Sequence, residues 1–120
     1  MIDPLPIHHS ETESFAAGQI IFKAGEPGTL MYVIAEGEVE IVVGNQVVEI
    51  ARPGTIVGEM ALIDQSPRSA TAVARTDCKL APIDQRRFEF MVQQTPFFSL
   101  TVMKIMADRL RKTNSLLASA

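Results

Sequence analysis

The residues best suited to chemistry lie in one stretch, Gly58-Glu59-Met60-Ala61-Leu62-Ile63-Asp64-Gln65-Ser66-Pro67-Arg68-Ser69-Ala70-Thr71. Gly58 permits a sharp exit from a strand at Ile56-Val57. Glu59 to Ile63 can form one helical turn, whose first amides have no partners inside the helix. Such a helix start attracts anions. Asp64 to Pro67 is turn-forming and brings the chain back. Arg68 is then expected to open a strand, and its permanently charged fork is the shape a phosphate takes as a partner. Inside a barrel, a carboxylate, a guanidinium and a row of free amides could hold a sugar phosphate. Taken alone, a glutamate and an arginine near a turn are more often a salt bridge than a ligand site, and Thr71 is most simply a β-former.

The elements that must position this stretch are short and regular. Apolar, β-branched runs separated by turn residues occupy Gln19 to Phe22, Leu30 to Ala35, Val39 to Val43, Val47 to Ala51, Ser69 to Ala74 and Lys79 to Ile83. Such spacing predicts a sandwich or barrel. Gly44-Asn45 suits a two-residue II′ hairpin turn. That register pairs Val43 with Gln46, Ile41 with Val48 and Val39 with Ile50. It turns Val39, Ile41, Val48 and Ile50 inward and sets Glu40 opposite Glu49 outside. After Ile83 the period changes. Asp84 can cap a helix with apolar positions Phe88, Met91 and Val92, which Pro96 breaks. A longer helix is predicted from Phe97 to Leu117. On it Met103, Met106, Leu110, Thr113 and Leu117 follow the spacing of a coiled-coil seam. Val102 and Ile105 can face the barrel, and Lys104, Arg109, Arg111 and Lys112 read as a solvated face.

The 120 residues suit one domain, and 47% hydrophobic residues suffice for a core. A net charge of −3 argues against a general nucleic-acid binder. No apolar run is long enough to cross a bilayer, and Met1 to Ser10 does not read as a signal peptide. The single cysteine, Cys78, reads as a buried reduced thiol in a strand, which fits a cytoplasmic setting. A metal-dependent cupin or a metal phosphodiesterase would need histidines converging inside the barrel. The only histidines are His8 and His9, before the first strand. Neither a catalytic residue nor a metal ligand is therefore expected.

The Gly58 to Thr71 stretch strongly resembles the phosphate-binding cassette of cyclic-nucleotide-binding domains: Gly-Glu-x-Ala-Leu, a spacer, then Arg-(Ser/Thr/Ala)-Ala-(Thr/Ser). Phe22-Lys23-Ala24-Gly25-Glu26-Pro27-Gly28 is similar to the family's early glycine-rich turn. Met31-Tyr32-Val33-Ile34-Ala35-Glu36-Gly37-Glu38-Val39 is similar to its central strand and tight turn. The resemblance spans about residues 14 to 117. It implies a jelly-roll (double-stranded β-helix) barrel followed by two α-helices, with a lead-in at 1–12, the barrel at 13–83 and hinge and lid helices at 84–117. It also implies that Glu59 accepts from the ribose 2′-hydroxyl and Arg68 pairs with the cyclic phosphate. Ser69, with the amides of Ala61, Ser69 and Ala70, would complete the phosphate shell, and the Gly58 backbone would approach the ribose. Met60 and Leu62 belong to the same binding stretch.

Met106-Ala107-Asp108-Arg109-Leu110 resembles the dimer helix of the catabolite activator family of bacterial regulators. The resemblance implies that Thr113 and Asn114 meet the adenine, the second across a homodimer. Ser69 with Thr113 points to cAMP as ligand rather than cGMP. The bacterial regulators carry a helix-turn-helix after this helix, whereas this sequence stops at Ala120, so no DNA binding is expected of this chain alone. The expected role is a non-catalytic sensor that signals through its last helices, hinged at Ile83-Asp84 and Pro96. The alternatives are the effector part of a bacterial transcriptional regulator, or a ligand-free interaction domain on the same fold.

Overall fold

The computed structural model describes residues 11–118. The lead-in, with His8 and His9, falls almost wholly outside them. The chain runs β1 (Glu13–Phe15), β2 (Ile20–Phe22), β3 (Leu30–Glu36), β4 (Val39–Val43), β5 (Gln46–Ala51), β6 (Ile56–Val57), α1 (Glu59–Ile63), β7 (Thr71–Ala74), β8 (Cys78–Asp84), α2 (Gln85–Gln94) and α3 (Pro96–Ala118). Two four-stranded antiparallel sheets form, in the orders β1-β8-β3-β6 and β2-β7-β4-β5. This is the expected jelly-roll arrangement with helices at its end.

β3 is apolar at successive positions because both its faces are covered. Tyr32 and Ile34 face the core between the sheets, with Phe15, Val39, Val57 and Leu80. Met31 and Val33 face the opposite way, under the helices, against Met91, Phe98 and Val102. Each such side chain, once fully buried, contributes roughly 1.5–3 kcal/mol. The helices are thus fastened to the barrel through one shared strand.

The Gly44-Asn45 turn forms with Gly44 at φ 62° and pairs Val43 with Gln46. The register beyond it differs from expectation. Val42 pairs with Val47, then Ile41 with Glu49, Glu40 with Ile50 and Val39 with Ala51. Val48 is the extra residue of a β-bulge. Residues opposite one another share a face, so Glu49 turns inward with Ile41 and Ile50 turns outward with Glu40. The expected Glu40–Glu49 pair does not exist.

Arg68 does not open a strand; β7 begins at Thr71. Its backbone is tied instead to the β2–β3 loop. The Arg68 amide donates to the Glu26 carbonyl at 2.8 Å, and the Gly25 amide donates to the Arg68 carbonyl at 2.7 Å. The Thr71 hydroxyl accepts from the Ala24 amide at 3.0 Å, a structural use.

Asp84 caps α2 as expected, accepting from the Arg87 amide at 2.8 Å. Met91 is buried, and Phe88 meets Phe98 edge-on with ring centroids 5.8 Å apart. Val92 is exposed, because one further residue carries it about 100° round the helix from Met91. Pro96 both ends α2 and opens α3, since a first helical residue loses nothing by lacking an N–H.

The five seam positions on α3 divide. Met106 packs against the core beside Ile105 and Val102. Met103, Leu110 and Leu117 are exposed, and so is Leu100. The stripe left uncovered therefore runs through Leu100, Met103, Leu110 and Leu117, with the half-buried Ala107 and the polar, exposed Asn114 between them, a 3-4 spacing rotated from the expected one.

Candidate functional site

A cavity of about 250 Å³ lies between the β4–β5 hairpin, the β6–α1 turn and α3. Gly58 initiates α1 with φ 80°, a conformation that favours glycine. It directs Glu59 inward, where only 5% of that residue is exposed. Leu62, three residues further along α1, packs into the core under the helices.

Two arginines border the cavity in opposite electrostatic states. Arg68 is only 8% exposed, yet among the described residues no carboxylate lies within ion-pair distance of it. Its Nη1 donates to the Gly58 carbonyl at 3.2 Å. Its guanidinium lies 4.1 Å from the centre of the Phe22 ring, which stacks in turn on Tyr32. Burial pushes its pKa down, opposed by Tyr32, Glu26 and Glu59, but an arginine stays charged. Gly28 makes room for it, since a Cβ there would collide with Nε and, at 2.5 Å, with Cζ.

Arg109 is fully engaged. Its Nε and Nη2 donate to the Glu49 carboxylate at 2.8 and 3.1 Å, and its Nη1 donates to Glu59 Oε1 at 3.0 Å. Nη2 also donates to the Ile56 carbonyl. Burial works against this charge, but the Glu49 and Glu59 carboxylates outweigh it and raise the guanidinium's pKa. Glu59 Oε2 makes no hydrogen bond among the described residues, and no buried polar side-chain atom lacks a partner. Oε2 is therefore accessible, and so are the Arg68 nitrogens that make no bond.

Eight expected residues border the cavity: Gly58, Glu59, Met60, Ala61, Arg68, Ser69, Ala70 and Thr113. The Ser69 hydroxyl stands 3.7 Å from the Met60 sulfur. Leu62 and Asn114 do not border it. Asn114 is exposed on the uncovered stripe of α3. Sequence reasoning missed Glu49, which only the bulge turns inward. It also assigned Arg109 to a solvated face. Arg109 stands one helical turn before Thr113 and so shares its face, a signal that was available. Lys112 borders the cavity as well, while Lys104 and Arg111 are exposed as expected.

The chemistry on offer is the binding of a compact anion with a hydroxylated sugar. Arg68 can take the anion, and Glu59 can accept from a hydroxyl. Among the described residues no cluster of His, Cys, Asp or Glu is placed to hold a metal ion, and no helix is long and apolar enough to cross a membrane.

Residues 12–95 match the family model described as the cyclic nucleotide-binding domain. The chain is 30% identical over 111 residues to a CRP-like cAMP-activated global transcriptional regulator of Mycobacterium tuberculosis, covering 87% of this chain and 49% of that protein. It is 37% identical over 84 residues to the cAMP-dependent protein kinase regulatory subunit of Eremothecium gossypii, covering 70% of this chain and 18% of that protein. The chain thus spans about half the length of the first relative and under a fifth of the second. The crystal structure of the Thermus thermophilus catabolite activator protein superposes with a TM-score of 0.76 at 28% identity, over 92% of this chain and 55% of that one.

Proposed function

Because the chain belongs to the cyclic nucleotide-binding domain family, we propose that it is a regulatory sensor for a cyclic nucleotide, cAMP in preference to cGMP, and performs no catalysis itself. One observation carries this reading: Arg68 is a buried guanidinium with no carboxylate partner among the described residues, and it borders a cavity. Burying a charge unpaired is costly, and an anionic ligand offsets that cost. Arg68 takes the cyclic phosphate, with the Ser69 hydroxyl and the amides of Ala61, Ser69 and Ala70. Glu59 accepts from the ribose 2′-hydroxyl through Oε2, and the Gly58 backbone lies along the ribose. Thr113 meets the purine from α3. The free, buried Cys78 thiol suits a cytoplasmic setting.

The uncovered stripe of α3 supports a homodimer through this helix. Leu100, Met103, Leu110 and Leu117 are exposed on it, and Asn114 stands among them, where it would reach a partner's site. Leu110→Glu should then leave a monomer in sedimentation velocity. The ligand reading is tested by calorimetric titration with cAMP, cGMP and AMP. It expects cAMP to bind best and AMP worst, because the open phosphate of AMP carries extra charge and a different shape. Absence of cAMP binding would reduce the chain to an interaction domain on this fold, and cGMP binding at least as tight would overturn the choice of base.

A further inference from the structure

The Glu49–Arg109–Glu59 group has more charge than nucleotide binding needs. Glu59 alone would give Arg109 a partner. Glu49 adds a second carboxylate with only 15% of its side chain exposed, and a β-bulge in the β4–β5 hairpin delivers it. An apolar side chain would fill this wall at lower electrostatic cost.

We infer that Glu49 is a positioning residue: it anchors Arg109, and with it the last helix, to the barrel without help from the ligand. The inference rests on the sensor reading for its consequence, but its geometry stands apart from it. Glu49 grips two nitrogens of the fork, and Glu59 touches the third. A ribose can therefore draw Glu59 to itself while Arg109 keeps its hold on the hairpin. Thr113, one turn beyond Arg109, stays over the cavity before any nucleotide arrives. Glu49 thereby sets how far the helix is already docked in the ligand-free protein. A nucleotide that requires the docked helix binds in proportion to the docked fraction.

The test is hydrogen exchange on the 120-residue chain, comparing native protein with Glu49→Gln. Without ligand, amides from Met106 to Thr113 should exchange about tenfold faster in the variant, while β3 and β8 keep their rates. Saturating cAMP should restore protection, so the ligand-induced change in the helix is larger in the variant than in the native protein. Affinity for cAMP should weaken only in proportion to the docked fraction lost, which stays under about twofold while most of the population remains docked. In an Arg109→Gln background, Glu49→Gln should add nothing further. Unchanged ligand-free exchange in the variant would overturn the inference. So would acceleration spread over β3 and β8, or acceleration that persists without Arg109. Failure of the native protein to bind cAMP would end the sensor reading alone, since the ligand-free comparison uses no nucleotide.

Discussion

Arg68→Gln separates binding from stability. In the ligand-free fold the Arg68 guanidinium is buried with one hydrogen bond, to the Gly58 carbonyl, and one aromatic face, Phe22. The hydrogen bond is worth roughly 1.5–3 kcal/mol and the ring about 0.5–2 kcal/mol. Against them stands the desolvation of a cation with no carboxylate beside it, several kcal/mol by the usual reckoning. The terms nearly cancel, so the melting temperature without ligand should stay the same or rise. Binding should behave oppositely. Loss of a charge-assisted phosphate contact costs about 2–5 kcal/mol, which is roughly 30- to 4,000-fold in Kd. At a ligand concentration of 100 Kd the native protein gains about 2.7 kcal/mol. A hundredfold weaker variant at that concentration gains only about 0.4 kcal/mol. Calorimetric titration and thermal melts with and without cAMP read both quantities. An affinity within threefold of native would refute the assignment of the phosphate to Arg68. A ligand-free variant destabilised by more than about 2 kcal/mol would refute the claim that this cation is electrostatically unpaid.

Gly28→Ala should act through the same arginine. Its backbone is not left-handed, so alanine should leave the ligand-free melting temperature within a degree or two while displacing the guanidinium; calorimetry should show cAMP affinity down about tenfold or more, and no further loss in an Arg68→Gln background. Glu59→Ala should weaken cAMP by roughly 1.5–3 kcal/mol but weaken 2′-deoxy-cAMP much less, and equal losses in competition assays would remove the 2′-hydroxyl as its partner. Burial raises the pKa of the Cys78 thiol above its ordinary 9.0, and burial followed by Glu13 raises that of the Tyr32 phenol above 10.0. A raised folded pKa gives stability that is present below the ordinary value and lost as pH climbs through the raised one. Denaturation midpoints should therefore hold at neutral pH and fall above about pH 9, with the thiol part of the fall absent in Cys78→Ser.

The strands and the cassette were legible because their signals are local. Short β-branched runs between turn residues fall where the strands are, and Gly58 to Thr71 carries its own spacing. In the β4–β5 hairpin Val39, Ile41 and Val48 face inward as alternation predicts, but the faces of Glu49 and Ile50 beyond the bulge were not legible. Val47 and Val48 are interchangeable to a pattern of alternation, and a shift of one residue reverses every face. The bulge at Val48 decided it, and with it the inward turn of Glu49. The helix α3 posed a related problem. Phe98, Leu100, Val102, Met103, Ile105 and Met106 surround its first turns, so two apolar stripes overlap and only packing against β3 and β8 selects the inner one. The face of Arg109 could be read from its spacing to Thr113, but its partners could not, since they come from a hairpin and a turn far back along the chain.

The pairing of the strands also governs when a binding site can exist. Phe22 supports Arg68 only when β2 lies against β7, and Thr113 comes over the cavity only when α3 has packed on β3 and β8. Contacts between such distant parts of the chain close late, and folds rich in them assemble slowly. A partly formed barrel offers the nucleotide almost nothing to hold. The ligand should then leave the refolding rate alone and slow the unfolding rate. For this protein an occupied site is a brake on falling apart, a matter of lifetime, rather than a template for coming together.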